Sequence, residues 1–315
     1  MPQRVFKVDI DMTIIIRTDS SSVIGTGHIM RDIVLSGQFS EAKIIFAVQD
    51  LPGNINHKIK EKDYILETLA SNHIETFIPI VEKYHPDMIV IDHYGIDERY
   101  EKQLKEKYPN IKLMVLDDTY ERHHCDIVLN HNIYADKGRY KNLIPKQCEL
   151  RCGKEFTLLR EEFHTIPLKQ KKPAAKIKNV LISMGGTDHL NISTKLIYAL
   201  EIFTDLTIDI VSTGANPHIG ELQKIQACKN NITLHVNIDY IAQLMYKADL
   251  AIVSPSVTMN EIFYLEIPFI SIKTANNQNE MHDYLIRGKY IALDTFNKKK
   301  FVEVFQNIYS GGINV

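Results

Sequence analysis

The chain has 315 residues, about twice the length of an ordinary domain, so we expect two domains. Hydrophobic residues make up 44% and charged residues 24%, which excludes a largely disordered or fibrous protein. A net charge of −2, no apolar run long enough to span a bilayer and no signal-peptide pattern together predict a cytoplasmic protein without nucleic-acid or membrane partners.

Short β-branched runs alternate with helical periods along the whole chain, which predicts an α/β protein with parallel sheets. In the first half we predict strands at 12–17, 43–48, 87–92 and 112–116, with helices at 28–37, 75–85 and 97–108. In the second half we predict strands at 179–183, 207–211, 232–235, 250–253 and 269–272, with helices between them and a last helix at the end. Residues 1–11 precede this pattern and resemble an appendage.

The segment 162–178 contains two prolines and five lysines and has little apolar periodicity, which is typical of a solvated linker. We therefore expect an N-terminal domain at 1–165 and a C-terminal domain at 166–315, although the last helix could pack back on the N-terminal domain. Two Rossmann-like domains would face a cleft, and ligands of such sheets lie beyond the carboxyl ends of the strands.

The loop after the first predicted strand contains Gly25 and Gly27 and leads into a helix that opens at His28. The glycines permit positive φ and a close approach of the backbone to a ligand. A histidine in a first helical turn feels the positive end of the helix dipole, which keeps the neutral imidazole available as a general base. The alternative is that His28 only caps the helix or fills the loop.

Carboxylates follow two predicted strands, with Asp92 after one and Asp117 and Asp118 after the next. They could contact substrate or orient the base, or they could simply cap loops.

A nearby histidine and cysteine group matches no metal-binding spacing, so we expect a polar loop and four free thiols rather than a metal site or disulfides. The group comprises His123, His124, Cys125 and His131, and the thiols are Cys125, Cys148, Cys152 and Cys228.

In the second half, Gly185, Gly186 and Thr187 lie between a strand and a helix. Such a turn can bind a diphosphate through backbone amides, the helix N-terminus and the threonine hydroxyl, or it can be a tight structural turn. Glu261 could accept hydrogen bonds from two ribose hydroxyls, or supply charge at the start of a helix. A helix that opens at Ile241 has backbone groups that could contact the edge of a base.

Seven motifs together resemble the UDP-sugar hydrolase family of pseudaminic acid biosynthesis, from about Thr13 to Tyr290. The motifs are SSSVIGTGHIMRD, IDHYG, HHCDIVLN, ELRCG, LLREEF, SMGGTD and IAQLM.

The resemblance implies the two-domain GT-B glycosyltransferase architecture, with the nucleotide bound by the C-terminal domain. It implies metal-independent, inverting hydrolysis of UDP-2,4-diacetamido-2,4,6-trideoxy-beta-L-altropyranose. We expect a monomer that needs no cofactor. By the same resemblance His28 is the base, while Gly27, Tyr94 and Asn277 bind the sugar. The nucleotide residues are Gly185, Gly186, Thr187, Ile241, Asn260 and Glu261.

Other functions share these features. Asn276 and Asn279 leave the register of Asn277 open. A glycosyltransferase, a nonhydrolysing epimerase or a non-catalytic nucleotide-sugar-binding protein could each have this fold, because fold alone does not decide between them.

Overall fold

A computed structural model describes residues 12–39, 41–167 and 176–311 of the chain. The chain divides into two compact units, Met1–Leu159 and Arg160–Val315. Each unit contains a sheet of parallel strands with helices between them, which confirms the predicted α/β class. The N-terminal appendage and residues 168–175 of the predicted linker lie outside the described residues.

The described part of the first unit has a parallel sheet in the order β3-β2-β1-β4-β5-β6-β7. Its strands are β1 (Thr13–Thr18), β2 (Lys43–Gln49), β3 (Ile65–Leu69), β4 (Met88–Asp92), β5 (Lys112–Leu116), β6 (Ile127–Asn130) and β7 (Glu149–Cys152). Its helices are α1 (Gly27–Ser36), α2 (His57–Lys60), α3 (Ile74–Tyr84) and α4 (Glu98–Lys107), with 3-10 turns at Lys137–Tyr140 and Lys154–Phe156.

Both faces of this sheet are buried, because successive side chains of a strand point to opposite faces. Ile15 of β1 packs with Ile89 of β4 in one core, whereas Ile14 and Ile16 pack with Val90 in the other. The four predicted strands of this half are confirmed with small shifts at their ends. The sequence prediction missed β3, β6 and β7, which are four or five residues long.

The described part of the second unit has a parallel sheet in the order β10-β9-β8-β11-β12-β13. Its strands are β8 (Asn179–Ser183), β9 (Thr207–Ser212), β10 (Ile232–Val236), β11 (Leu250–Val253), β12 (Phe269–Ile272) and β13 (Ala292–Leu293). Its helices are α5 (Glu161–His164), α6 (Ile192–Leu200), α7 (Ile219–Cys228), α8 (Ile241–Lys247), α9 (Thr258–Tyr264), α10 (Asn279–Arg287) and α11 (Lys298–Gly311), with a 3-10 turn at Asn276–Gln278.

One expectation about the start of this unit needs correction. The start of the predicted linker is the helix α5, whose Phe163 is fully buried, because its apolar ring gains more from packing than from exposure. The last helix, α11, buries Phe301 and Phe305 beside Phe203 in the core of the second unit.

The strand order reverses once in each sheet, next to β1 and next to β8. The loops after β1 and β4 therefore diverge, as do the loops after β8 and β11. In open parallel sheets such a switch point forms a crevice in which ligands bind. No helix among the described residues is long and apolar enough to cross a bilayer.

Candidate functional site

His28 and Asp92 meet at the switch point of the first sheet. His28 lies in the first turn of α1, Asp92 is the last residue of β4, and His28 Nδ1 is 2.7 Å from Asp92 Oδ1. Nδ1 faces both the Asp92 carboxylate, which can only accept a hydrogen bond, and Arg31 Nη2 at 3.0 Å, which can only donate. The shorter contact with Asp92 favours the tautomer that carries the proton on Nδ1 and keeps the lone pair on Nε2. This tautomer is the one that a general base requires.

Arg31, which sequence reasoning missed, extends this pair. Its Nε donates to Asp92 Oδ2 at 2.5 Å and its Nη1 donates to Asp118 Oδ2 at 2.8 Å. Tyr94 donates its hydroxyl to Asp118 Oδ1 at 2.9 Å, and its ring lies edge-on to the His28 ring with centroids 4.7 Å apart. A signal was present in the sequence, since His28 and Arg31 are spaced by three residues and so share a helix face.

Burial and charge set the protonation of this cluster. Burial alone would raise the pKa of Asp92, but the charges of Arg31 and His28 and their hydrogen bonds hold it well below its usual value. Burial and the charge of Asp92 raise the pKa of Asp32 well above its usual range. Burial and Arg31 lower the pKa of His131 to about 4. His131 is therefore neutral near pH 7, and the raised pKa of Asp32 favours its protonated form.

Asp117 does not join this cluster, although it precedes Asp118. Its carboxylate accepts backbone hydrogen bonds from Thr119, Tyr120 and Glu121, and its Oδ2 is 3.5 Å from His123 Nε2. Neighbouring side chains at a strand end point in opposite directions, so one carboxylate caps a turn while the other reaches Arg31.

His123 is a structural residue of the first unit. Its Nδ1 donates to Glu101 Oε1 at 2.7 Å, and the backbone amide of His124 donates to Glu101 Oε2. Cys125 Sγ lies 3.8 Å from Cys148 Sγ, and all four cysteines are free. Among the described residues, no group of three or more His, Cys, Asp or Glu side chains is arranged to hold a metal ion.

The loop before His28 has one glycine with positive φ, Gly25 at 87°. Gly27 has no such requirement, because it is the first residue of α1. An antiparallel bridge between Ser21 and Gly25 closes the loop, and the Ser21 hydroxyl accepts hydrogen bonds from the amides of Val23 and Ile24. The loop is thus held in place ahead of the helix that carries His28.

The glycine turn of the second unit follows β8. Gly185 has a φ of 87°, which favours glycine, and a Cβ on Gly186 would lie 3.1 Å from Thr213 Cγ2. The backbone amides of Gly185, Gly186 and Thr187 donate no hydrogen bond to the described part of the chain. A turn with several free amides matches the chemistry of an anion site.

Asp188 changes the expected role of the helix that follows. Its two carboxylate oxygens accept hydrogen bonds from the amides of Ile192 and Ser193, each at 2.8 Å. The first amides of α6 are therefore already paired with a carboxylate. Diphosphate binding at this junction stays a prediction, and the amides of the turn before Asp188 are the donors that this carboxylate leaves free.

Glu261 lies in the first turn of α9 and pairs with Arg160, a second residue that the sequence analysis missed. Arg160 donates to Glu261 Oε1 from Nε at 2.9 Å and from Nη2 at 2.7 Å. Burial raises the pKa of Glu261, and Arg160 partly offsets that increase. The other oxygen, Oε2, has no part in these two bonds.

The remaining candidates lie on the same sheet edge of the second unit. Ile241 opens α8 as predicted, and the next amide, of Ala242, donates to Glu162 Oε2 at 3.1 Å. Asn260 is buried in α9, whereas Asn277 is exposed in the 3-10 turn after β12. The structure thus gathers His28 and Tyr94 in the first unit and places Asn277 in the second.

Solved structures confirm the predicted GT-B glycosyltransferase-like fold. The glycotransferase of kitacinnamycin matches with a TM-score of 0.64 and 13% identity, over 96% of this chain and 92% of that one. A UDP-GlcNAc 2-epimerase from Neisseria meningitidis bound to UDP-GlcNAc matches with a TM-score of 0.63 and 12% identity, over 94% and 91% of the two chains. Identities this low establish the fold alone.

No protein-family model matches the chain. A curated relative from Campylobacter jejuni, UDP-2,4-diacetamido-2,4,6-trideoxy-beta-L-altropyranose hydrolase, is 37% identical over 279 residues. The match covers 89% of this chain and 98% of the relative, so it includes both units. This chain therefore belongs to the UDP-2,4-diacetamido-2,4,6-trideoxy-beta-L-altropyranose hydrolase family.

Proposed function

We propose that this protein hydrolyses UDP-2,4-diacetamido-2,4,6-trideoxy-beta-L-altropyranose to UDP and 2,4-diacetamido-2,4,6-trideoxy-L-altrose, a step of pseudaminic acid biosynthesis. Membership of the hydrolase family supports the substrate. The observation that carries the mechanism is the pair formed by His28 and Asp92 at the switch point of the first sheet. A histidine with its Nδ1 proton held by a buried carboxylate is prepared to take a proton at Nε2.

The reaction is an inverting displacement at the anomeric carbon. A water molecule gives one proton to His28 Nε2 while its oxygen forms a bond to the anomeric carbon. The bond from that carbon to the diphosphate oxygen breaks, and its electron pair leaves with UDP. Asp92 stabilises the imidazolium that forms, because its carboxylate is 2.7 Å from Nδ1.

UDP binds to the second unit in this proposal. The free amides of Gly185, Gly186 and Thr187, with the Thr187 hydroxyl, bind the diphosphate and stabilise the charge that grows on it without a metal. Glu261 accepts hydrogen bonds from the ribose hydroxyls, held in position by Arg160. Asn260 also contributes to the nucleotide site, and backbone groups at Ile241 contact the uracil.

The sugar binds close to His28. Tyr94 is 56% exposed while its ring contacts His28, so it offers a surface to a sugar beside the base. The backbone at Gly27 allows close approach, since no side chain stands there. Asn277, an exposed amide of the second unit, supplies hydrogen bonds to the acetamido groups.

The test is proton NMR of the UDP-sugar with purified protein, without acceptor and with EDTA present. We expect UDP and a free sugar whose first-formed anomer is inverted. In water enriched in oxygen-18, mass spectrometry should find the label in the sugar and not in UDP, because the bond to the anomeric carbon breaks.

Other outcomes would overturn the proposal in identifiable ways. A substrate that stays intact until an acceptor is added would indicate a glycosyltransferase. A UDP-linked epimer would indicate an epimerase, and a substrate that is bound but never cleaved would indicate a binding protein. Label in UDP would indicate attack at phosphorus rather than at carbon.

A further inference from the structure

We propose that Arg31 is a positioning residue, whose single buried guanidinium fixes both the carboxylate behind His28 and the carboxylate that holds Tyr94. The inference rests on the proposed function, since it concerns the same site. It assigns a role to a residue that contacts neither water nor sugar in the proposed mechanism.

The geometry of Arg31 suits this role. Its side chain is 8% exposed, and it contacts Asp92 through Nε and Nη2 and Asp118 through Nη1. A guanidinium is planar and its nitrogens have fixed spacing, so binding two carboxylates at once fixes the angle and distance between them. A lysine could not do this, because an ammonium is a single point of charge.

Each carboxylate transmits that position to one side chain. Asp92 contacts His28 Nδ1 at 2.7 Å, and Asp118 accepts the Tyr94 hydroxyl at 2.9 Å. The rings of His28 and Tyr94 then meet edge-on at an interplanar angle of 80°. The five residues form a closed ring of contacts, and Arg31 Nη2 also lies 3.0 Å from His28 Nδ1 across that ring.

Arg31 also balances the charge around His28. The titratable groups that surround His28 are Asp92, Asp118, Tyr94, Asp32, His131 and Arg31 itself. With His131 neutral near pH 7, Arg31 is the permanent cation among these described groups. Without it, the carboxylates of Asp92 and Asp118 would favour imidazolium, and a protonated His28 cannot accept a proton from water.

Two substitutions separate the positioning role of Arg31 from the effect of its positive charge. We expect Arg31→Gln to lower kcat/KM by about 100-fold at neutral pH and to move the acid limb of its pH profile upward by about one unit or more. We expect Arg31→Lys to keep the acid limb within a few tenths of a unit, because the charge remains, but to lower kcat by about tenfold. The Kd for UDP should stay unchanged in both variants, since the UDP residues lie in the second unit.

Asp118→Asn should shift the acid limb in the direction opposite to Arg31→Gln. It removes a negative charge near His28 and keeps the shape of the side chain, so the acid limb should move to lower pH while KM rises. A purely structural role of Arg31 would lower activity without moving either limb. The opposite shifts in Arg31→Gln and Asp118→Asn therefore distinguish positioning and charge balance from simple destabilisation.

His123→Gln is the matched control, because it breaks another buried ion-pair network of the same unit without touching this cluster. We expect it to lower the midpoint of urea unfolding and to leave the acid limb in place. The inference is overturned if the wild type hydrolyses the UDP-sugar while Arg31→Lys keeps full kcat, or while the acid limb of Arg31→Gln does not move. If the wild type releases no UDP, the proposed function itself has failed.

Discussion

The buried histidine His123 should make the stability of the first unit depend on pH, and His123→Gln removes that dependence. Burial alone would lower the pKa of His123, but hydrogen bonds and charge from Asp117 and Glu101 raise it to about 9. The folded state therefore binds the proton more tightly than the unfolded chain, in which a histidine titrates near about 6.5.

The size of the effect follows from these two values. A rise from about 6.5 to about 9 corresponds to about 3 kcal/mol of stability, at about 1.4 kcal/mol per pKa unit. This contribution is fully present below about pH 6.5, decreases as the pH rises, and is lost above about pH 9. The side chain is only 7% exposed, so solvent screens the interaction little.

The assay compares urea unfolding of the wild type and His123→Gln at pH 6 and at pH 10. We expect the variant to be less stable at pH 6 and the difference to shrink by about 3 kcal/mol at pH 10. His57→Gln is the control, because His57 is exposed on α2 and should show no such change. An NMR titration would give the pKa directly, with the His123 signal assigned by its loss in the variant.

Two results would refute this reasoning. One is an equal loss of stability at both pH values, which would mean that His123 acts by packing and not by charge. The other is a titration midpoint of His123 at or below about 6.5, which would mean that its carboxylate partners do not outweigh burial.

Three further predictions concern the candidate site. His28→Ala should lower kcat by about 1,000-fold or more and leave the calorimetric Kd for UDP unchanged, because the base does not bind the nucleotide; near-normal turnover would disprove the assignment. Glu261→Ala should weaken UDP binding by about tenfold or more through loss of charged hydrogen bonds, and an unchanged Kd would count against a ribose contact. Asp188→Ala should cost about 1 to 2 kcal/mol of unfolding free energy, since it removes the cap of α6, and an unshifted urea midpoint would contradict that role.

The sequence predicted most of the sheet strands because their signal is local. Ile14, Ile15 and Ile16 must all be buried, and such a run fits a strand with cores on both faces. Strand β3 lacks this signal, since Ile65 and Glu67 are only partly buried. The linker prediction failed at Phe163, because the lysines and prolines that follow it dominate the composition of the segment 162–178.

The candidate site shows the same division between local and distant information. His28 is recognisable from the glycine loop and helix start around it, and Asp92 from its place at the end of an apolar run. The role of Arg31 depends on Asp118, which is 87 residues away in the chain. The role of Asp188 depends on which amides its side chain reaches, which only the turn geometry decides.

The placement of His28, Arg31 and Asp32 on one face of α1 has a consequence for how this family can vary. Each residue added inside the helix between His28 and Arg31 would rotate the later side chains by about 100°, and would turn the guanidinium away from Asp92. Residues added to the loop at 22–24, ahead of the helix, would not change the angle about the helix axis between His28 and Arg31. Natural or engineered length changes that keep hydrolysis should therefore occur in the loop, while the three-residue interval from His28 to Arg31 stays constant.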